Sequence, residues 1–329
     1  MTAPGKILVT FAPMLRNEGA HTALLRQSGH AVEGYASDAP LRAEQMVPLV
    51  HDVDAIIAGG ERIDGRVIAA APRLRVISRH GVGYDAIDVA AATRAGVAVT
   101  ITPGTNHVAV AELALGLMIT LARSIVPMRE ALMREDWTRN PGTELAGKTL
   151  GIVGLGRIGQ ALALRARAFE MTIVAHDVAI DAEFARWHGV RSVSRDALLQ
   201  ASDFVSLHAP ALADSRPLLG ARELALMRRT AYLVNTARGS LVDETALLHA
   251  LREGRIAGAA LDVFAIEPPL GSPLLALPNV LATPHIGGTL EAGARTALLA
   301  TQNALQVLAG ERCPHTVNPE VYAMQVTKS

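Results

Sequence analysis

Short apolar runs alternate along the chain with longer stretches that suit helices. In the first hundred residues the runs at 6–10, 55–58, 76–79 and 97–101 read as strands, with helices expected at 18–28, 43–50 and 68–71. The second part repeats the alternation, with strands at 149–153, 172–175, 203–207, 231–235, 258–261 and 280–282 and helices at 160–169, 196–200, 243–253 and 291–309. Strand–helix alternation of this kind predicts an α/β fold of parallel sheets flanked by helices. The segment 102–106, with Pro103 and Gly104, reads as a hinge, and the stretch 123–147, with Trp137 and Pro141, as a connecting arm. Between them, 107–121 is helix-prone and apolar almost all round, which calls for burial on both sides, between domains or between subunits. The helix at 291–309 is expected to cross back to the first domain and leave 311–329 packed there. A domain at 104–290 would then be inserted into one formed by 1–103 and 291–329, and the two crossings would suit a hinge.

The most specific stretch is 149–177. Thr149-Leu150-Gly151-Ile152-Val153 runs directly into Gly154-Leu155-Gly156-Arg157-Ile158-Gly159, then a helical segment, then a strand that ends on His176-Asp177. In a dinucleotide site the first glycine permits the tight turn and the second lets a pyrophosphate approach the backbone. The third lets the helix pack on the sheet, and the helix N-terminus offers free N–H groups. Asp177 lies about 20 residues on, where a carboxylate accepts hydrogen bonds from ribose hydroxyls. A glycine turn alone is weak evidence; one flanked by strand, helix, strand and Asp is strong. No Arg or Lys follows within Val178-Ala179-Ile180-Asp181, and Asp177 would repel a 2′-phosphate, so the expected cofactor is NAD rather than NADP.

Composition narrows the remaining classes. The 329 residues allow two domains of ordinary size. Charge balances to zero and no basic cluster is interleaved with aromatics, which argues against nucleic acid. The single Cys313 and the lack of a Cys/His set at ligand spacing predict no internal disulfide, no metal and a reducing compartment. The N-terminus lacks the apolar core of a signal peptide, and 109–122 is short for a membrane span and interrupted by Glu112, so the expectation is a cytoplasmic protein with no membrane partner.

Polar groups recur just past the second set of strands, where open α/β sheets bind ligands. Arg238 offers a bidentate fork for a carboxylate and can polarise a neighbouring carbonyl. His285 can exchange a proton near neutral pH, and Glu267 can orient the imidazole and favour its charged form. In isolation an ion-pair arginine, a turn carboxylate and a loop histidine are the simpler readings; the shared position past strand ends favours a site. Asp262 suits the nicotinamide carboxamide, while His208 fits either the cofactor groove or a structural role. In the first domain, Ser78-Arg79-His80-Gly81-Val82-Gly83-Tyr84-Asp85 is either a backbone cradle for a small anion or an ordinary glycine turn, with Arg79 at its edge.

These segments together resemble the D-isomer-specific 2-hydroxyacid dehydrogenase family. The resemblance rests on 81–85 (GVGYD), 110–112 (VAE), 149–159 (TLGIVGLGRIG), 235–244 (NTARGSLVDE), 260–268 (ALDVFAIEP) and 284–288 (PHIGG). It implies two Rossmann-like, doubly wound parallel-sheet domains with the NAD-binding domain inserted into the substrate domain, and a catalytic set of Arg238, Glu267 and His285. It further implies NAD contacts from Gly154, Gly156, Arg157, Ile158, Gly159, Asp177, His208, Ala209, Pro210, Thr236, Ala237, Arg238, Asp262, His285, Gly287, Gly288 and Val110. Substrate contacts are expected from Arg79, His80, Gly81, Val82, Gly83 and Asn106, with the 81–83 backbone on the substrate carboxylate. Such proteins are usually homodimers that use the helix near 110–123.

Within the family the chain is most similar to phosphoglycerate dehydrogenases and hydroxypyruvate/glyoxylate reductases, and it ends where their catalytic core ends. Arg79 stands where phosphoglycerate enzymes carry a substrate-binding arginine, but Gly59 replaces another basic residue and His80 is larger than usual, departures that speak against a phosphorylated substrate. Val178 replaces a common proline after the ribose aspartate. Glu267 separates the chain from formate dehydrogenases, which resemble it with Gln there. The expected activity is hydride transfer between NAD(H) and a small D-2-hydroxyacid or its 2-keto partner, such as 3-phosphoglycerate, hydroxypyruvate or glyoxylate. The alternatives are an NAD-sensing binding protein like the C-terminal-binding-protein corepressors, and a phosphite-type dehydrogenase.

Overall fold

A computed structural model describes residues 4–37, 40–211 and 216–326 of the chain. It divides into two compact units, unit 1 from residues 1–106 and 289–329 and unit 2 from 107–288. The α/β reading is correct for both, since each is built on one all-parallel sheet.

Unit 1 holds β1 (Lys6–Val9), β2 (Ala31–Gly34), β3 (Ala55–Ala58), β4 (Val76–Arg79) and β5 (Ala98–Thr100), in the order β2-β1-β3-β4-β5. The strand order reverses between β1 and β3, the place where sheets of this order bind ligands beyond their carboxyl ends. Ile7, Leu8, Ile56, Ile57 and Ile77 are fully buried in the central strands, each stabilising the fold by about 1.5–3 kcal/mol relative to an exposed side chain. The edge strand β2 is exposed throughout, and Ala31-Val32-Glu33-Gly34 carries no apolar run that would have announced it. The helix Leu290–Leu308 lays Ala297, Ala300, Ala304 and Val307 on the core. Its small side chains allow close approach, and Ser78 Oγ donates to the Ala300 carbonyl at 2.7 Å. Val321 and Tyr322 join the same core.

Unit 2 holds β6 (Thr149–Val153), β7 (Thr172–His176), β8 (Arg191–Ser192), β9 (Phe204–Leu207), β10 (Tyr232–Asn235), β11 (Gly258–Leu261) and β12 (Val280–Ala282). Their order is β12-β11-β10-β9-β6-β7-β8, the doubly wound dinucleotide arrangement with its reversal between β6 and β9.

Two expectations are refined. The helix His107–Ala122 packs inside unit 2: Ala111, Ala114, Leu117 and Met118 are buried there, in one cluster with Leu162 and Ala166 of the helix Arg157–Ala168. A salt bridge of 3.0 Å between Glu112 and Arg165 joins the two helices at the surface. The segment 123–147 is more than an arm, because it contains the helix Ile125–Met133. That helix buries only Ala131 and leaves Leu132 and Met133 exposed, so it lacks the one-sided apolar face by which helices are read. No single helix among the described residues is long and apolar enough to cross a membrane.

Candidate active site

The glycine turn follows β6 as its sequence requires. Gly154 has φ +96°, and a Cβ there would stand 2.6 Å from the backbone of His208 and Ala209, so only glycine fits. A Cβ on Gly159 would come within 2.2 Å of the Gly154 carbonyl, so the helix Arg157–Ala168 starts against the turn itself. Gly156, by contrast, faces open space and caps the helix with no side-chain hydrogen bond. The helix N-terminus is thus left with N–H groups for an anion. Asp177 directly follows β7, and its Oδ2 accepts from the Leu155 N–H at 2.6 Å while Oδ1 accepts from the Ala179 N–H at 2.9 Å. Each oxygen keeps a further lone pair for a ribose hydroxyl. Arg157 is exposed and Ile158 half-buried at this turn.

Past β9, β10 and β11 the same end of the sheet carries polar atoms that are buried and without a hydrogen-bond partner among the described residues: His208 Nδ1, Thr236 Oγ1 and Asp262 Oδ2. Unpaired buried groups are costly, and a bound ligand is the usual remedy. Burial pulls the His208 pKa down to about 4, so the ring is neutral, and its Nε2 pairs with Ser206 Oγ at 2.8 Å. Asp262 is pushed above the usual carboxyl range by burial, against the pull of Thr283, Ile286 and His285. Its Oδ1 accepts from Thr283 Oγ1 at 2.6 Å and from the Ile286 N–H at 2.8 Å. These residues fit NAD: the open glycine turn for pyrophosphate, Asp177 for ribose and Asp262 Oδ2 for the carboxamide N–H. Val110 is buried and meets Gly287, whereas Gly288 faces open space. Pro210 is exposed and Ala237 half-buried beside these strand ends.

His285 and Glu267 meet, with Nδ1 2.7 Å from Oε2. Glu267 Oε1 accepts from the Phe264 N–H at 3.0 Å. Burial alone would raise the Glu267 pKa, but the His285 hydrogen bond and charge, the Phe264 N–H and the charge of Arg238 outweigh it and hold the carboxyl below its ordinary value. An ionised carboxylate only accepts, so Nδ1 of His285 donates and Nε2 is the nitrogen left for proton exchange. His285 adopts φ +54°, a left-handed conformation uncommon for a side chain of this kind, and its N–H donates to the Asp262 and Thr283 carbonyls at 3.0 Å. Arg238 Nη1 donates to the Ala237 carbonyl at 2.7 Å.

The supports of this trio were quoted in the sequence without a role. Asn235 is buried; its Nδ2 donates to the Arg238 carbonyl at 2.8 Å and its Oδ1 accepts from the Ala237 N–H at 3.1 Å, locking the turn that presents Arg238. Glu244 Oε1 accepts from the Ala265 N–H at 2.7 Å. A Cβ on Gly239 would overlap the Phe264 carbonyl carbon at 1.9 Å, so this glycine lets the Arg238 turn and the Glu267 loop touch. An Asn at a strand end three residues before an Arg-Gly pair is the signal that could have exposed the first of these.

In unit 1 the 79–83 loop differs from expectation. Gly81 has φ +141° and its N–H is already taken by Thr102 Oγ1 and the Arg79 carbonyl, both at 3.0 Å, so it is not one of the free donors. The Val82 and Gly83 N–H groups carry no hydrogen bond among the described residues. Arg79 is turned onto its own loop: Nε donates to the Gly83 carbonyl at 2.9 Å and Nη1 to the His80 carbonyl at 2.5 Å. It braces the loop, a role that a cation at a loop edge does not reveal by type. The His80 ring lies 4.2 Å from that of Phe11, and burial followed by the Arg79 charge lowers its pKa to about 4. Asn106 is half-buried at the end of unit 1.

The chain is similar to known proteins in both sequence and structure. Residues 115–287 match the NAD-binding domain of D-isomer specific 2-hydroxyacid dehydrogenases. The chain is 43% identical over 283 residues to a D-3-phosphoglycerate dehydrogenase of Methanocaldococcus jannaschii, covering 84% of this chain but 54% of that enzyme. To a glyoxylate reductase of Thermofilum pendens it is 42% identical over 313 residues, covering 91% of both chains. Among solved structures, a glyoxylate reductase from Paecilomyes thermophila superposes with a TM-score of 0.85 at 33% identity, covering 96% of this chain and 98% of the other. With its NAD-binding half matched and its remaining length shared with these reductases, the chain belongs to the D-isomer-specific 2-hydroxyacid dehydrogenases, a family of NAD-dependent oxidoreductases.

Proposed function

We propose that the chain interconverts a small D-2-hydroxyacid and its 2-keto acid, with Arg238, Glu267 and His285 as the catalytic set. The hydrogen bond of 2.7 Å between His285 and Glu267, at the strand ends that carry the cofactor residues, is the observation that supports it most. Bound NAD supplies or accepts the hydride. In reduction His285 Nε2 gives a proton to the carbonyl oxygen; in oxidation it takes one from the hydroxyl. Glu267 fixes the ring through Nδ1 and balances its positive charge. Arg238 binds the substrate carboxylate and polarises the carbonyl. Within unit 1, the Val82 and Gly83 N–H groups on the loop that Arg79 braces suit a carboxylate.

The homodimer also belongs to this reading. Its support lies at 125–137, where Met133 and Trp137 are 68% and 70% exposed and Ile125 and Leu132 lie beside them. A solvent-facing apolar group of this kind marks a protein-binding surface.

The test follows NADH absorbance with pyruvate, glyoxylate, hydroxypyruvate and 3-phosphohydroxypyruvate. Turnover of at least one, lost in His285→Ala while NADH still binds, is expected. A His285→Ala enzyme as fast as the parent, or NADH binding with no turnover on any 2-keto acid and NADH-dependent capture of protein partners, would overturn it.

A further inference from the structure

In a parallel sheet the residues that directly precede the strands all stand at one end. In unit 1 Gly5, His30, Asp54 and Arg75 directly precede β1, β2, β3 and β4. Together with Arg73 and Leu308 they line a cavity of about 250 Å³, and all of them belong to unit 1. β4 runs from just after Arg75 to Arg79, so the length of a strand separates this cavity from the 79–83 loop. Its volume lies below the about 300–1,000 Å³ of sites for drug-sized ligands, so it has room for a small ion or metabolite and not for a dinucleotide.

The wall carries more positive than negative charge. Arg73 grips Asp54, with Nη2 2.9 Å from Oδ2, and the same oxygen accepts from the Lys6 N–H at 2.7 Å. That carboxylate is spent on these partners. Arg75 makes no salt bridge among the described residues. Its Nη1 donates to the Leu308 carbonyl at 2.9 Å and its Nη2 to the Val307 carbonyl at 3.2 Å, at the end of the helix Leu290–Leu308. The partial negative charge of a helix C-terminus, about half a unit, does not neutralise a guanidinium. Two of its five donors are used, which leaves three. An arginine drawn into a fold is ordinarily paired, and half-buried Arg75 lacks a counter-charge. His30 adds a donor: its Nδ1 accepts from the Gly5 N–H at 2.8 Å, so that nitrogen is bare and the ring's proton is on Nε2.

We infer that this cavity binds a small oxyanion, a free phosphate or the carboxylate of a small metabolite, with Arg75 as its counter-charge and His30 and Arg73 as further donors. The site is separate from the glycine turn that suits the cofactor's phosphates, which is in unit 2. It uses none of Arg238, Glu267 and His285, and it does not depend on the dehydrogenase reading. Asp54 sets its selectivity: a carboxylate in the wall lowers the affinity for any anion and disfavours a dianion more than a monoanion.

The test is isothermal titration of the full chain with inorganic phosphate and, separately, with malonate. Ionic strength is held constant, and NADH is kept saturating so that the glycine turn of unit 2 is occupied. One saturable site per chain is expected, and the tighter of the two anions identifies the head group. Arg75→Gln should weaken that binding by at least about 10-fold, the scale of one lost charge-assisted hydrogen bond. Asp54→Asn, which keeps the shape and removes the negative charge, should tighten it by about 10-fold. Thermal unfolding reports whether each variant is folded. Should Arg75→Gln fail to fold, Arg73→Gln takes its place: the Arg73 side chain is 54% exposed, and its loss leaves Asp54 to repel the anion, so the same weakening is expected. Absence of saturable binding by both anions, or affinities that are the same in the parent and in the folded variants, would overturn the inference. Turnover of 2-keto acids by the same proteins reports on the dehydrogenase reading alone, so the failure of one is distinguishable from the failure of the other.

Discussion

Each member of the His285–Glu267 pair constrains the other. Glu267 must stay ionised to accept from His285 Nδ1, and the depressed pKa of its carboxyl secures that. Glu267→Gln keeps the shape but can present an amide N–H to the ring, which invites the wrong tautomer. The expected result is a fall in kcat of about 100-fold with a smaller change in KM, measured with the preferred keto acid; an unchanged kcat would remove Glu267 from the mechanism. The same residue carries a pH signature. A carboxyl whose folded pKa lies below its unfolded value stabilises the fold fully above the ordinary glutamate range and loses that contribution as pH falls through the depressed value. Glu267→Gln should therefore lose less melting temperature than the parent on acidification below the ordinary glutamate pKa of 4.5. His208 acts in a second window. It is held neutral with a pKa near 4 against 6.5 when unfolded, so its contribution is full above 6.5 and lost as pH falls toward 4, at up to about 1.4 kcal/mol per unit. His208→Gln should flatten the parent's loss of stability between those values. The proposed trio was legible as a candidate because its residue types suit proton exchange and carboxylate binding and each stands in a distinctive run. Arg79 was not, because a side chain that turns back on its own loop has the same letter as one that reaches for a ligand.

Among the elements, the glycine turn shows how one residue type serves opposite needs. Gly159 and Gly239 are required by contact, since added Cβ atoms would stand 2.2 Å and 1.9 Å from backbone atoms. Gly156 has φ −72° and open space, so alanine fits there without strain. The variants should separate accordingly. Gly156→Ala should keep the parent's melting temperature and weaken NADH binding by about 10-fold or more, because its methyl stands where a phosphate must approach. Gly239→Ala should lower the melting temperature by several degrees, from roughly 2–3 kcal/mol of forced separation. Titration by NADH fluorescence and a thermal scan distinguish the cases, and equal behaviour of the two would contradict this assignment. Strands buried on both faces were visible in the sequence as apolar runs. The short, exposed β2 and β8 were not, because their pairing is set by the backbone of a neighbour and leaves no pattern in their side chains.

For the whole molecule, the doubly wound parallel sheets followed from the alternation of runs, whereas the surface available to a partner did not. An all-apolar helix at 107–121 was compatible with either an internal or an external partner, and only packing shows that unit 2 itself covers it. The exposed group at 125–137 is the surface on which the proposed dimer is tested. Exchange of both Leu132 and Met133 for Glu should convert a dimer to a monomer in light scattering and leave the far-UV spectrum unchanged. A parent already monomeric at micromolar concentration would remove the dimer from this proposal.

The brace between β7 and the glycine turn bears on any attempt to re-engineer nucleotide choice. Because Asp177 binds the Leu155 and Ala179 amides as well as offering itself to the ribose, a replacement with no acceptor, such as Ala, would also release two amides that hold the phosphate loop in place. Such a design should gain NADPH more slowly than it sheds NADH, and it would need a substitute acceptor at position 177, such as Asn or Ser, before an added arginine could show its full effect.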